Sequence, residues 1–371
     1  MKRKVLVDLF YLNTALTGIK TYMVEFCQAV LENEEKEIQY IFTHDFQKQA
    51  NKSTFRGNVA YWKKLYYHLY YFFWKQVLLP FRVWKEKPDV LICFDFLAPV
   101  IPLPTKKLVV VHDAFFWQMP QNYNAIWRKY FLKMFFWGIK GNTTLITTSN
   151  YSKNSLQRIA GITNPINVIY QCPKLLPETP ETDVIALHDL HRQSFFLHVG
   201  SFDRRKLLPV LVQAFGIFDQ KYPEKLKLVL AGEKGLSTNL DDYQKVVDKI
   251  KELNLEGKVI MTGFLSDESV KTLYKNALAY VFPSSNEGFG IPIIEAMCNG
   301  LPVILSDQEA LVEVAGGAGL ITGMGDFQDL AMAMETVYIR PEFCIQMIEK
   351  GYLRKNEFTR KAFYKEFRKH L

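Results

Sequence analysis

Residues 279–297 read Ala279-Tyr-Val-Phe282-Pro-Ser-Ser-Asn-Glu287-Gly-Phe-Gly290-Ile-Pro-Ile-Ile-Glu295-Ala-Met297. A short apolar, β-prone run opens the stretch, a loop with two glycines follows, and an apolar helical pattern closes it. Pro292 suits the first helical turn, and Gly300 can end the helix in a left-handed conformation. The same alternation recurs along the chain. Apolar strand-like runs fall at 5–10, 38–42, 90–94, 108–111, 144–148 and 167–170, and a second series falls at 195–199, 226–231, 259–262, 279–282 and 303–305. Nearly continuous apolar strands between helical stretches mean a parallel sheet covered on both faces. Two such series predict an α/β chain with two doubly wound parallel-sheet domains, spanning 1–175 and 190–349. Residues 171–194, with Pro173, Pro177 and Pro180 and then His188 and His191, are the linker between them. In such sheets ligands bind beyond the carboxyl ends of the strands, and two facing sheets would place the site in the cleft between them.

The length of 371 residues accommodates two domains of ordinary size, and 49% hydrophobic residues exclude a disordered chain. Five scattered cysteines with no CxxC pair argue against a disulfide framework or zinc cage and fit a reducing cytosol. The net charge of +8 is uneven: residues 1–180 hold 23 basic and 12 acidic side chains, residues 181–371 hold 23 and 26. A front half this basic favours a polyanion or an anionic membrane face. No helix-turn-helix, finger or RNP-like pattern supports nucleic acid as the polyanion. Asp8 interrupts the apolar run of the first residues, so no signal-peptide core forms. No stretch has the eighteen or more apolar residues of a membrane span, so the expectation is a cytoplasmic, soluble or peripheral protein.

Four segments bear chemistry. In 282–297 the glycines at 288 and 290 let the backbone approach a ligand, and the helix start offers free N–H groups to an anion. Glu287 and Glu295 can reach different hydroxyls of one ligand; the plainer alternative is a solvated loop residue and a helix-dipole partner. Leu197-His-Val-Gly200-Ser-Phe-Asp-Arg-Arg205-Lys206 puts a glycine turn and three consecutive cations after a strand, an anion cradle or an ordinary basic loop. His112 ends a strand of the first domain, where it is either structural or faces the ligand. Thr17-Gly18-Ile19-Lys20-Thr21-Tyr22 is a glycine turn leading into a helix, a weak signal by itself.

Together these segments resemble retaining glycosyltransferases of family 4, also pooled as glycosyl transferases group 1. Glu287 to Met297, followed by Gly300-Leu-Pro-Val303, is similar to that family's E-x7-E signature. Val199 to Lys206 looks like its phosphate loop, and Thr148-Ser-Asn-Tyr-Ser152 like its Ser-x-x-Ser turn. The resemblance covers about residues 4–371, close over 195–322 and loose over 44–106. It implies a GT-B fold of two Rossmann-like domains facing across a cleft. The first domain would hold the acceptor, the second the nucleotide-sugar donor, and residues 350–371 would form a C-terminal helix packing back on the first domain. Residue by residue, it implies that Arg205 and Lys206 grip the donor diphosphate, Glu295 binds the ribose and Glu287 the transferred sugar. Gly288, Phe289 and Gly290 would line the sugar, His112 would sit beside the anomeric carbon, and Gly18 and Gly200 would approach the diphosphate. Many members place an Arg directly after the strand-end glycine; Ser201 stands there, and Arg205 matches the subfamily that supplies the cation instead.

The resemblance also implies a reaction without a metal or other cofactor. The leaving diphosphate's charge must be neutralised, and two fixed cations with helix N-termini are suited to it. No DxD-like pair follows a strand. Double displacement would need a carboxylate nucleophile, a role that neither Glu287 nor Glu295 clearly fills; the family is usually assigned a front-face route assisted by the leaving phosphate. The sequence leaves UDP and GDP donors both open.

Two aromatic–basic runs, at 60–87 and 126–139, suit the interfacial zone of an anionic membrane. In the first, Tyr70, Trp74, Val77, Phe81 and Trp84 form one helical stripe, which a core helix would equally show. The expected acceptor is a glycan or lipid-linked glycan at the inner face of the cytoplasmic membrane, in cell-surface polysaccharide synthesis. The alternatives are an inactive GT-B scaffold on the membrane, against which the retained Glu287, Glu295, Lys206 and His112 argue, and a GT-B epimerase.

Overall fold

The computed structural model describes residues 2–15, 18–33, 35–50, 60–176, 183–235 and 240–371, with the side chains of Tyr61 and Lys64 left aside. The predicted positions 17, 177 and 180 lie outside the described residues. The chain divides into two compact units, Met1–Cys172 with Phe358–Leu371, and Pro173–Glu357.

The first unit is built on six parallel strands: β1 (Arg3–Asp8), β2 (Ile38–Phe42), β3 (Val90–Cys93), β4 (Lys106–Val110), β5 (Thr143–Thr147) and β6 (Ile166–Val168), in the order β2-β1-β3-β4-β5-β6. Alternation of side chains along each strand sorts the apolar residues onto two faces. Val7, Ile92 and Leu108 stand in one cross-strand row. They pack with Tyr22 and Phe26 of the helix Gly18–Glu32, and with Phe363 and Phe367 of the helix Arg360–Arg368. Leu6, Leu91 and Val109 face the other way, towards Trp74, Val83, Phe131 and Phe135. Arg360 pairs with Glu25 at 2.5 Å and also with Glu32, fastening the last helix to the first.

The aromatic–basic run at 60–87 forms the helix Tyr61–Phe73, a π turn Trp74–Leu78 and the helix Leu79–Glu86. The π turn inserts an extra residue and changes which side chains face the sheet. Trp74 therefore leaves the stripe expected from plain helical spacing: it is 7% exposed, stacks on Phe10 and donates its Nε1–H to Asp8 at 2.9 Å. Lys75, expected among cations meeting headgroups, is also buried, with Nζ 2.7 Å from Asp8 and 2.5 Å from Asp95. Tyr71 donates to Asp95 at 2.6 Å, and Lys75 donates to the Leu97 carbonyl at 3.0 Å. Two carboxylates, an ammonium, a phenol and an indole thus form one buried network at the carboxyl edge of β1 and β3. The rest of the run stays outside: Trp62, Tyr66, Leu69, Val77, Phe81 and Trp84 are exposed. In the second run, the helix Ala125–Gly138 exposes Ile126, Tyr130 and Trp137, and Tyr130 meets Phe72 with ring centroids 6.4 Å apart. The two runs touch at this pair of exposed rings. Among the described residues, no helix is long and apolar enough to cross a membrane.

The second unit has six parallel strands, β7 (Phe195–Val199), β8 (Lys227–Ala231), β9 (Val259–Gly263), β10 (Ala279–Phe282), β11 (Val303–Ser306) and β12 (Leu320–Thr322), in the order β12-β11-β10-β7-β8-β9. Phe196 lies level with Ala279 on one side and Leu228 on the other, in a core that continues through Leu211, Phe215 and Met334. The edge strand β12 is absent from the strands expected from sequence. It has only three residues, between Gly319 and Gly323, too short for a periodic signal.

Candidate active site

In the second unit, β10 ends at Phe282 and the helix Ile291–Cys298 follows after the loop 283–290, with Gly290 as its N-cap at φ 117°. That backbone conformation favours glycine, and a Cβ there would lie 2.9 Å from Leu311 Cδ2. The loop is held to the basic turn after β7. Ser285 N–H donates to the Arg205 carbonyl at 2.7 Å, and the Arg205 guanidinium donates to the Asn286 carbonyl at 3.2 Å.

The loop carboxylate and both cations converge. Lys206 Nζ donates to Glu287 Oε1 at 2.7 Å, and Arg205 pairs with the same oxygen. Burial alone would raise the Glu287 carboxyl, but Arg205 and Lys206 outweigh it and hold it at about 2. Burial lowers Lys206 to about 8 against the opposing pull of Glu287, and its ammonium lies 4.4 Å from the Phe282 ring centroid. Ser201, at the position where many family members carry Arg, donates to Asp203 at 2.7 Å. Gly200 lies against this cluster, with Lys206 Nζ 3.8 Å from where its Cβ would be. Phe289 is buried under the loop.

Glu295 stands apart from the cations. Its partner is the Tyr274 hydroxyl, which donates to Oε2 at 3.2 Å. Burial pushes its carboxyl up to about 7, Asp267 adding to the shift. The two carboxylates of the spacing E-x7-E are therefore electrostatic opposites, Glu287 firmly ionised and Glu295 poised to titrate near neutrality.

His112 and Gly18 belong to the first unit. Gly18 opens the helix Gly18–Glu32, and Tyr22, one turn on, meets the His112 ring edge-on at 4.9 Å. His112 is 8% exposed, and its Nε2 lies 2.8 Å from the Phe94 carbonyl, which can only accept, so Nε2 carries the proton. Burial lowers the imidazole to about 4 and keeps it neutral. The His112 carbonyl accepts from Thr148 at 3.1 Å and from Ser152 at 3.4 Å, while Ser149 caps the helix Asn150–Arg158. The Ser-x-x-Ser turn thus anchors the backbone at His112, a link that sequence reading had not drawn. Sequence reading also missed His198 beside Lys206, Tyr274 on Glu295 and, in the first unit, the buried Asp8–Lys75–Asp95 network. Among the described residues, no group of three or more His, Cys, Asp or Glu is arranged to hold a metal ion.

Residues 186–354 match the family model for glycosyl transferases group 1. This segment is a group 1 glycosyl transferase domain. It contains the whole Glu287–Arg205–Lys206 cluster and Glu295. The chain is 26% identical over 226 residues to O-antigen chain mannosyltransferase B of Escherichia coli, covering 60% of this chain and 58% of that protein. It is 28% identical over 244 residues to O-antigen chain mannosyltransferase RfbU of Salmonella typhimurium, covering 65% and 64%. It thus spans less than two thirds of the length of these curated relatives. The solved sucrose-phosphate synthase from Thermosynechococcus elongatus superposes with a TM-score of 0.75 at 19% identity, over 100% of this chain and 98% of that one. Anabaena Alr3699/HepE, solved in complex with UDP, gives 0.72 at 16% identity over 99% of both chains. The fold around the group 1 glycosyl transferase domain is GT-B, with two Rossmann-like α/β units as expected from sequence.

Proposed function

We propose that the protein is a retaining, metal-independent glycosyltransferase that moves a sugar from a UDP- or GDP-sugar to a glycan or lipid-linked glycan in cell-surface polysaccharide synthesis. The convergence of Arg205 and Lys206 on one oxygen of Glu287, beside a glycine loop and inside the group 1 domain, carries this reading. Two fixed cations in a water-poor site suit the charge that grows on a departing diphosphate. Without donor, Glu287 occupies both cations; with donor, the diphosphate takes its place and Glu287 turns to the sugar hydroxyls. Glu295 then serves the ribose, Gly18 the diphosphate, and His112 the sugar as a neutral imidazole. With Glu287 given to the sugar hydroxyls and Glu295 to the ribose, neither carboxylate is left to attack the anomeric carbon, which favours the front-face route over double displacement.

In this reading the unit Pro173–Glu357 binds the donor and the unit with β1–β6 binds the acceptor, docked at the inner face of the cytoplasmic membrane. The exposed aromatics that meet at Phe72 and Tyr130, together with Lys129, Lys133 and Lys85, support docking to anionic lipid. The test of activity is a thermal-shift screen of UDP- and GDP-sugars followed by hydrolysis of those that bind, with and without chelator. Absence of binding and hydrolysis across the panel overturns the transferase reading, and loss of turnover with chelator overturns metal independence. Salt-sensitive flotation with anionic vesicles tests the docking, and its absence removes it.

A further inference from the structure

His198 lies at the end of β7 with its side chain fully buried, packed against the rings of Tyr280 and Phe282. Its Nδ1 is 2.9 Å from the Val281 carbonyl, which can only accept, so Nδ1 carries the proton and Nε2 is a bare acceptor. That acceptor is sealed from solvent and has no hydrogen-bond partner. Buried polar atoms are seldom left so, and each exception calls for a reason.

The reason stands on the other side of Gly200. The point where a Gly200 Cβ would sit is 3.2 Å from His198 Nε2 and 3.8 Å from Lys206 Nζ. A spare acceptor and an ammonium with N–H bonds beyond the one given to Glu287 flank the same space, which only a residue without a side chain leaves open. We propose that His198 is a positioning residue: Nε2 is the second acceptor of the Lys206 ammonium, engaged when Glu287 gives up Lys206. The inference rests on the reading of Lys206 as a ligand of the donor diphosphate. It explains how Lys206 keeps its proton and its aim at the moment its carboxylate partner turns to the sugar. The charged groups facing Lys206 are Glu287, Arg205 and Asp203, and His198 is neutral there because burial and Lys206 itself disfavour a second cation.

The test separates this contact from the transferase reading. The pH at which Lys206 becomes reactive to acetic anhydride, read by mass spectrometry, is compared in E287Q and in E287Q with H198F. The phenylalanine keeps the ring and removes the acceptor. Loss of an acceptor lowers the pH at which the ammonium gives up its proton, so the midpoint should fall by about one unit. An unchanged midpoint in folded protein overturns the proposal, whatever the enzyme's substrate. H198Q offers an amide oxygen in place of Nε2 and should restore the midpoint; if it behaves like H198F, the proposal also fails. In donor hydrolysis, H198F should raise KM for the nucleotide sugar about tenfold and move the basic limb of kcat/KM to lower pH. A fall in kcat alone, with the limb unmoved, would mean a merely structural histidine. Hydrolysis absent from the wild type while the labelling shift is present would overturn the transferase reading and leave the contact standing.

Discussion

Lys206 and Glu287, 81 residues apart in the chain, share a 2.7 Å ion pair in a site where neither is more than a tenth exposed. A buried pair whose members are both wanted by a ligand makes the two substitutions unequal, because removing one partner leaves the other charged and unpaired.

Glu287→Ala should lower turnover by about two orders of magnitude while leaving nucleotide affinity within about threefold, since the cations stay in place. Lys206→Ala should instead weaken nucleotide binding by about tenfold or more, because a cation is lost and Glu287 then repels the diphosphate. Isothermal titration with UDP or GDP, beside donor hydrolysis, checks the split. Equal losses of affinity in both variants would contradict it.

Glu295 sets a pH dependence. Its carboxyl titrates at about 7, and the ionised form accepts hydroxyl hydrogen bonds more strongly. Nucleotide affinity should therefore tighten as pH rises from about 6 to about 7.5, and Glu295→Gln should flatten that rise; Glu295→Ala should cost about tenfold or more in affinity. The native chain holds this proton to higher pH than the unfolded one, so its contribution to stability declines between the ordinary glutamate range and pH 7. Thermal midpoints of the wild type and Glu295→Gln across that window give the second readout.

Lys75→Met should destabilise the unit with β1–β6 by about 3–5 kcal/mol, because Asp8 and Asp95 are left buried beside each other without a cation. Adding Asp8→Asn and Asp95→Asn should recover much of the loss. Denaturant unfolding measures both, and a recovery absent from the triple variant would mean that the ammonium matters for packing rather than charge.

Phe81→Glu with Trp84→Glu should abolish flotation with anionic vesicles while leaving nucleotide binding within about twofold, as both side chains are exposed and belong to the unit without the Glu287 cluster. Added salt should weaken wild-type flotation and leave it intact on removal of the salt.

The strands were legible where apolar runs are long and both faces are buried, as at 195–199 and 279–282. The three residues of β12 were not, since their order comes from pairing with β11 rather than from any local pattern. The residues of the Glu287 cluster could be named from spacing and resemblance, but not that they bond one another, which depends on loops that only the sheet brings together. The stripe through Trp74 was misread for a local reason: periodicity assumes a regular helix, and one wide turn changes which residues point inward. Lys75 followed it, a cation that composition assigns to the surface and two aspartates hold inside.

The return of Phe358–Leu371 to the strands β1–β6 has a consequence for biogenesis. Its partners Tyr22, Phe26 and Glu25 leave the ribosome long before it does, and the entire Pro173–Glu357 unit is made in between. The unit that begins synthesis first is therefore the one completed last, with an apolar face awaiting its final helix.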